Sequence, residues 1–170
     1  MTIKHLHTQL GFTLVELVVV LMLIGILGAV AGARFFSLGD YQARRYADQL
    51  QAALRHAQLV AIATRERVQV TVDTVAPTAL IAADCTAAGG TAVRSPSGSG
   101  PLMPTPAGSS IGLTVAGQTL PLALCFNGLG QPFLANSAQG TAITTALVFT
   151  ISGGSDNLTF QIEPETGFIH

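Results

Sequence analysis

The sequence is poor in charge and lacks the residue patterns of catalytic and metal sites. Charged residues make up 10% of the 170-residue chain and hydrophobic residues 49%, a composition typical of neither a disordered chain nor a polyanion-binding protein. No GxSxG motif, close carboxylate pair or cluster of residues at metal-ligand spacing is present. We therefore expect an interaction protein without enzymatic activity, metal or cofactor.

Positive charge is scarce in the distal part of the chain. Residues 68–170 contain one basic residue, Arg94, against five acidic residues, and the other seven basic residues lie at or before Arg67. A mildly acidic surface disfavours a broad nucleic-acid footprint. Nucleic acid is therefore not an expected partner.

The chain has only two cysteines, Cys85 and Cys125, and their separation of forty residues excludes a CxxC metal or redox motif. If this part of the chain lies outside the cytoplasm, a disulfide is the natural interpretation. The loop-entropy estimate gives such a disulfide a stabilisation of roughly 4 kcal/mol. The alternative is two separate buried thiols.

The sequence does contain one long apolar run with a single carboxylate near its start. Residues 12–33 are twenty-two residues in which only Glu16 is charged, enough at 1.5 Å per residue to cross a hydrocarbon core about 30 Å thick. An ionisable group in a membrane-competent helix costs at least ~2.5 kcal/mol, so we interpret Glu16 as functional and paired. Residues 1–11, with the positive charge of Lys4, are interpreted as a leader that stays cytoplasmic.

Two other interpretations of this run stay open. One is a secretory signal peptide, because residues 29–31 and 31–33 each offer an A-x-A cleavage site; the product would be a free soluble domain. The other is a plain single-span anchor, which leaves Glu16 unexplained.

Beyond the apolar run, residues 34–66 have the period of an amphipathic helix that ends near Thr64. Its apolar stripe includes Tyr46 and Leu50, its opposite charged face is interpreted as solvated, and Gly39 is its weak point.

Residues 67–170 are predicted to form a β-rich domain. Alternation of period two begins at Val68, and further strands are expected at 78–83, 111–116, 119–126, 145–152 and 157–163. Residues 86–110, rich in Gly, Ser and Pro, predict a long, exposed and flexible loop. The expected fold class is α+β: a long N-terminal helix, half transmembrane and half amphipathic, packed on an antiparallel sheet.

The residues GFTLVELVVVLMLIGILGAV at 11–30 resemble the N-terminal processing and assembly motif of type IV prepilins and type II secretion pseudopilins. The resemblance implies that a prepilin peptidase cleaves between Gly11 and Phe12 and methylates the new amine of Phe12. It also implies that the Glu16 carboxylate neutralises the N-terminal amine of a neighbouring subunit during assembly. Leu10 stands where the family usually has a polar or small residue.

The following helix is similar to that of the GspH/FimT-type minor pilins. Their L-x-x-A-L-x-x-A-[QR]-x-x-A-I pattern is matched at seven positions from Leu50 to Ile62. The segment FNGLGQP at 126–132 resembles their F-x-x-x-G-x-P turn, and the segments ARFF and ETGFIH lean toward the minor pilin C group of mannose-sensitive haemagglutinin (MSHA) pili. Most relatives have a proline where this chain has Ala33.

The resemblance implies a structural subunit at or near the tip of a type IV pilus or a type II secretion pseudopilus. Its expected partners are prepilin peptidase, other major and minor pilins or pseudopilins, the inner membrane and the inner-membrane assembly platform. The expected location is the bacterial inner membrane, in a single-pass topology with a periplasmic C-terminal domain, and then the filament. The alternative from another functional class is a filament-tip binding module, either an adhesin or a DNA-uptake subunit of FimT type.

Overall fold

The structure, a computed structural model, describes residues 13–35, 37–86, 89–96, 98, 101–106, 111–137, 139–154 and 156–170. The chain divides into two compact units, Met1–Ser37 and Leu38–His170. Helix α1 (Leu14–Phe35) belongs to the first unit, and helix α2 (Ser37–Thr64) begins at the boundary and continues into the second. The predicted leader, residues 1–11, lies outside the described residues.

Helix α1 is mostly apolar, with Glu16 and Arg34 as its charged residues. Twelve large apolar side chains between Leu14 and Leu27 are 44–79% exposed. Within the described residues, neither helix combines the length and the apolar character needed to cross a membrane. The membrane span predicted for residues 12–33 stays a prediction.

The second unit contains nine described strands in two sheets. The strands are β1 (Arg67–Val72), β2 (Thr78–Ala82), β3 (Thr91–Ala92), β4 (Gly112–Val115), β5 (Leu122–Phe126), β6 (Pro132–Leu134), β7 (Thr141–Ala142), β8 (Leu147–Ser152) and β9 (Leu158–Ile162). One sheet has the order β3-β2-β1-β5-β6-β7 and the other the order β4-β8-β9. All pairings between these strands are antiparallel. The predicted α+β fold, a helix packed on antiparallel sheet, is confirmed.

Strand β1 lies at the centre of the larger sheet. Its valines alternate with polar residues, and Val68, Val70 and Val72 are fully buried as the period of two predicts. It pairs with β2 from Arg67 opposite Ala82 to Thr71 opposite Thr78, and with β5 on its other side. Strands β1 and β2 thus form a hairpin, and both lie where strands were expected.

Helix α2 buries its apolar stripe in the core of the second unit. The buried members of the stripe are Ala43, Tyr46, Ala47, Leu50, Ala53, Leu54, Ala57 and Ala61. Gly39 is not a break in this helix. A Cβ at this position would clash with the Gly153 carbonyl oxygen, so glycine lets the first turns of α2 approach the β8–β9 turn.

The segment 86–110 is not exposed throughout, as the sequence led us to expect. Val93, Leu102 and Met103 are buried and belong to the core cluster. Strand β3 and a bridge between Arg94 and Pro101 give part of the segment regular pairing. The expectation was wrong at these positions because single apolar residues among Gly, Ser and Pro show no periodicity, yet each can be buried in the core.

Candidate functional site

The first turn of α1 has the geometry of a capped helix start. The backbone N–H of Glu16 donates to Thr13 Oγ1 at 3.3 Å, and the N–H of Leu17 donates to the Thr13 carbonyl at 3.2 Å. Thr13 is therefore the N-cap residue, and Glu16 stands at the third helical position. The spacing Thr-x-x-Glu is that of a capping box, a signal that could have been found in the sequence and that our sequence analysis missed.

The Glu16 carboxylate is exposed and available. Within the described residues, none of the hydrogen bonds or ion pairs involves this carboxylate. A negative charge in the first turn interacts favourably with the helix dipole, typically by about 0.3–1 kcal/mol. Glu16 is thus an unpaired anion at the start of a helix whose neighbouring side chains are apolar and exposed, and it can accept a cation from outside the chain.

The structure places the other predicted site residues as follows. Gly11 and Phe12, the predicted cleavage and methylation positions, lie outside the described residues. Cys85 and Cys125 form a disulfide with a Cα–Cα distance of 5.5 Å, and both are buried. This bond joins the segment that follows β2 to strand β5, far along the sequence from Glu16.

Two side chains on the polar face of α2 bind the backbone of other elements. Arg55 donates to the Ile169 carbonyl through Nε at 3.3 Å and Nη2 at 2.9 Å. Gln58 Nε2 donates to the Gly130 carbonyl at 2.9 Å and to the Thr166 carbonyl at 3.0 Å. Arg55 is exposed, as a solvated face requires, and its carbonyl partner could not be predicted because backbone groups distant in the chain have no sequence signature.

The residues that Gln58 joins belong to the turn FNGLGQP and to the segment after β9. In the turn, Asn127 Oδ1 accepts the backbone N–H groups of Leu129 and Gln131 at 2.9 Å each. Gly130 has φ +82, and a Cβ there would press on the Ile62 side chain. The residues that resemble the F-x-x-x-G-x-P turn are therefore also those that determine the path of the chain from β5 to β6 beside α2.

Among the described residues, no group of three or more His, Cys, Asp and Glu could hold a metal ion. The described residues present the Glu16 carboxylate on a mostly apolar helix, and such a helix is suited to association with other chains.

Residues 6–32 match the family described as the prokaryotic N-terminal methylation motif. No curated protein and no solved structure matches the chain. The chain thus carries a type IV pilin-like methylation motif, which supports the prepilin and pseudopilin superfamily, and its helix on an antiparallel sheet is consistent with the pilin fold. A motif of this type indicates processing by prepilin peptidase and assembly with other pilins.

Proposed function

We propose that this chain is a minor pilin or pseudopilin, a structural subunit that assembles into or primes a type IV pilus of MSHA type or a type II secretion pseudopilus. The observation that supports this most is the Glu16 carboxylate, exposed in the first capped turn of a helix whose only other charged residue is Arg34, near its far end. It lies inside the residues that match the methylation motif.

The apolar side chains of α1 do not decide between a membrane and a filament. Burying each of them stabilises the chain by about 1.5–3 kcal/mol relative to water, but lipid tails are as apolar as a packed helix and offer a similar gain. Glu16 does distinguish the two environments. In hydrocarbon its charge costs at least ~2.5 kcal/mol, whereas a neighbouring subunit can supply a cation.

The cation that we propose is the methylated amine of Phe12 on a neighbouring subunit. Cleavage between Gly11 and Phe12 creates this amine, and methylation leaves it positively charged. Because the pair would be enclosed by apolar helices, loss of one partner would leave a buried charge, which typically costs 3–5 kcal/mol. Because the Glu16 carboxylate of one subunit binds the Phe12 amine of another, this ion pair sets the direction in which subunits assemble.

Before assembly, the subunit is held in the inner membrane by residues 12–33, with the domain that follows in the periplasm. The disulfide between Cys85 and Cys125 suits that compartment, because the periplasm is oxidising. The partners are prepilin peptidase, the inner-membrane assembly platform and other pilins or pseudopilins.

The test is incorporation of Glu16→Ala and Glu16→Gln chains into sheared filaments. Both variants are expected in the membrane fraction at normal levels and absent from the filaments, because neither can supply the negative charge. Asp48→Ala is the matched control, since it removes one exposed carboxylate from α2 and should leave incorporation unchanged. Wild-type amounts of Glu16→Ala in filaments would disprove the assembly role.

Intact mass of the mature chain tests the processing step. Cleavage before Phe12 with one added methyl group differs by more than twenty residues from cleavage after residue 33, the signal-peptide alternative. An uncleaved chain would favour the plain anchor. Either of these two masses would contradict the proposed processing.

A further inference from the structure

The last turns of helix α2 and the β5–β6 turn carry exposed apolar side chains. Leu59 and Ile62 are three residues apart on one face of the helix, and they are 61% and 43% exposed. Leu129, in the β5–β6 turn, is 79% exposed. A Cβ at the neighbouring Gly130 would lie 2.8 Å from the Ile62 side chain, so this turn packs directly against the helix. We call Leu59, Ile62 and Leu129 the apolar patch.

The turn that carries Leu129 is held in one position. Asn127 Oδ1 accepts the backbone N–H of Leu129 at 2.9 Å, and Gln58 Nε2 donates to the Gly130 carbonyl at 2.9 Å. Since the turn is already ordered, a partner that covers it has less loop freedom to remove than on a mobile loop. The apolar patch is therefore a pre-organised surface for binding.

Two cavities of the second unit meet at the end of α2. The smaller, of about 530 Å³, is lined by Ile62 and Leu129 of the apolar patch. The larger, of about 800 Å³, is lined by the α2–β1 connection and the end of β2. Arg65 lines both cavities, together with residues 127 and 128. One continuous surface thus runs from the apolar patch past Arg65 into the larger cavity.

The larger cavity has an excess of positive charge. Its charged lining residues are Arg65, Glu66 and Arg67. The Arg67 guanidinium donates to the Ala83 carbonyl at 3.3 Å and to Gln139 Oε1 at 3.2 Å, both neutral acceptors. Among the described residues, neither arginine is in an ion pair. By charge complementarity the cavity favours a partner that brings a carboxylate.

Arg65 stands at a position where its backbone is strained. Its φ is 58°, and in the described part of the chain it is the one residue other than glycine with a positive φ. Glycine is the usual residue in this conformation just after a helix, because it has no Cβ. Strain of this kind clusters at ligand-binding and switch sites. The arginine is therefore better explained by what its side chain binds than by the conformation of its backbone.

We propose that a segment of a different filament subunit docks along this surface, with an apolar side chain on the apolar patch and a carboxylate at Arg65. The proposal rests on the proposed function, because a minor subunit in a filament has different subunits as its neighbours. An extended segment places residues i and i+2 on one face about 7 Å apart, so a few residues supply both groups. A small anion would leave the apolar patch uncovered, which favours a protein partner.

The experiment places a photo-crosslinking residue on the apolar patch of the full-length chain. Leu129 is replaced by benzoylphenylalanine, cells are irradiated, filaments are sheared, and cross-linked peptides are identified by mass spectrometry. We expect an adduct with a different pilin or pseudopilin, whose cross-linked peptide has Asp or Glu within about two residues of the attachment point. The same probe at Val75, which is 82% exposed and outside both cavities, should not form this adduct.

Changes at Arg65 separate binding from folding. Arg65→Glu should lower the adduct yield at least roughly fivefold, the upper range for loss of an exposed ion pair, whereas Arg45→Glu, at an exposed position of α2, should leave it unchanged. Arg65→Gly should also lower the yield, while the urea midpoint of unfolding stays the same or rises because glycine relieves the positive φ. Changing the acidic residue of the identified peptide to lysine should restore the adduct of Arg65→Glu.

The possible results separate this proposal from the proposed function. If the chain enters filaments but the probe at Leu129 forms no adduct, the docking is wrong and the pilin role stands. The docking is also overturned by an adduct with a second copy of this chain, with nucleic acid, or with a peptide that has no carboxylate. Equal losses in Arg65→Glu and Arg45→Glu, or no rescue by the lysine, would contradict the contact at Arg65. If the wild-type chain is itself absent from sheared filaments, the proposed function fails and the docking fails with it.

Discussion

Removal of the Tyr46 hydroxyl can raise or lower the free energy of unfolding, depending on whether the hydroxyl has a hydrogen-bond partner. Tyr46 is 2% exposed on the buried stripe of α2. Among the described residues, its hydroxyl is one of two buried side-chain polar atoms without a hydrogen-bond partner. Because a buried hydroxyl without a partner has lost its hydration and gained nothing, Tyr46→Phe should not destabilise the domain.

The magnitude follows from the cost of desolvation. A buried unsatisfied polar group costs about 1–3 kcal/mol, and a hydroxyl that does form a bond contributes about 1 kcal/mol. The ring itself stays in place in the Phe variant, so no cavity forms. We therefore expect the free energy of unfolding at pH 7 to stay the same or to rise by up to about 2 kcal/mol. Tyr46→Ala, which removes the ring, should lower it by about 3–5 kcal/mol.

The same hydroxyl should make the domain sensitive to alkali. Burial, assisted by the negative charge of Asp73, raises the pKa of Tyr46 from 10.0 to about 12. Because the folded pKa exceeds the unfolded one, ionisation of Tyr46 does not change the free energy of unfolding below pH 10 and lowers it between pH 10 and 12. The loss is at most about 3 kcal/mol. Tyr46→Phe should remove this part of the pH dependence.

Urea unfolding of the full-length chain in detergent, followed at pH 7 and at pH 11, measures both effects. Tyr41→Phe is the control, because Tyr41 lies on the same helix and is 66% exposed. Since the chain has two tyrosines, the ultraviolet absorbance of the Tyr41→Phe variant also reports the titration of Tyr46 alone. A loss of more than about 1 kcal/mol in Tyr46→Phe at pH 7 would refute the reasoning, since it would mean that the hydroxyl has a partner.

Three further changes test contacts that hold the second unit together, each measured by urea unfolding. Gln58→Ala should cost about 1–3 kcal/mol, because it leaves two backbone carbonyls without their donor; an unchanged midpoint would show that water replaces the amide. Gly39→Ala should destabilise the domain by about 1–3 kcal/mol although alanine favours helix, because its Cβ would meet the Gly153 carbonyl oxygen; a gain in stability would disprove that close approach. Replacing both Cys85 and Cys125 by alanine should cost roughly 4 kcal/mol, and no loss would show that the bridge does not constrain the unfolded chain.

The regular part of the fold could be predicted because its signals are local. Val68, Val70 and Val72 alternate with polar residues, and the stripe around Leu50 has the helical period, so β1 and α2 were found. Strands β3, β6 and β7 were missed, since two or three residues are too short to show a period of two. The edge position of β7 also leaves its residues exposed, which removes the contrast between buried and solvated faces.

The sequence predicted which residue matters in the candidate site, Glu16, but the hydrogen bonds described above were not predicted. Glu16 was identified because a single carboxylate in an apolar run is costly, and this cost can be read from the sequence alone. The bond from the Glu16 N–H to Thr13 was available in the Thr-x-x-Glu spacing. The partners of Arg55 and Gln58 were not available, because backbone carbonyls 72 to 114 residues away are brought to α2 only by the complete fold.

The cap at Thr13 bears directly on what Glu16 can do. A helix start leaves backbone N–H groups without partners, and a glutamate in the first turn can use its own carboxylate to satisfy one of them. Here Thr13 Oγ1 accepts the Glu16 N–H, whereas among the described residues no hydrogen bond or ion pair involves the Glu16 carboxylate. An acidic side chain kept free of its own helix, among exposed apolar residues, gains most from a cation on another subunit. Because the second bond of the capping box is not formed, the carboxylate stays available for a pair between subunits, as we propose.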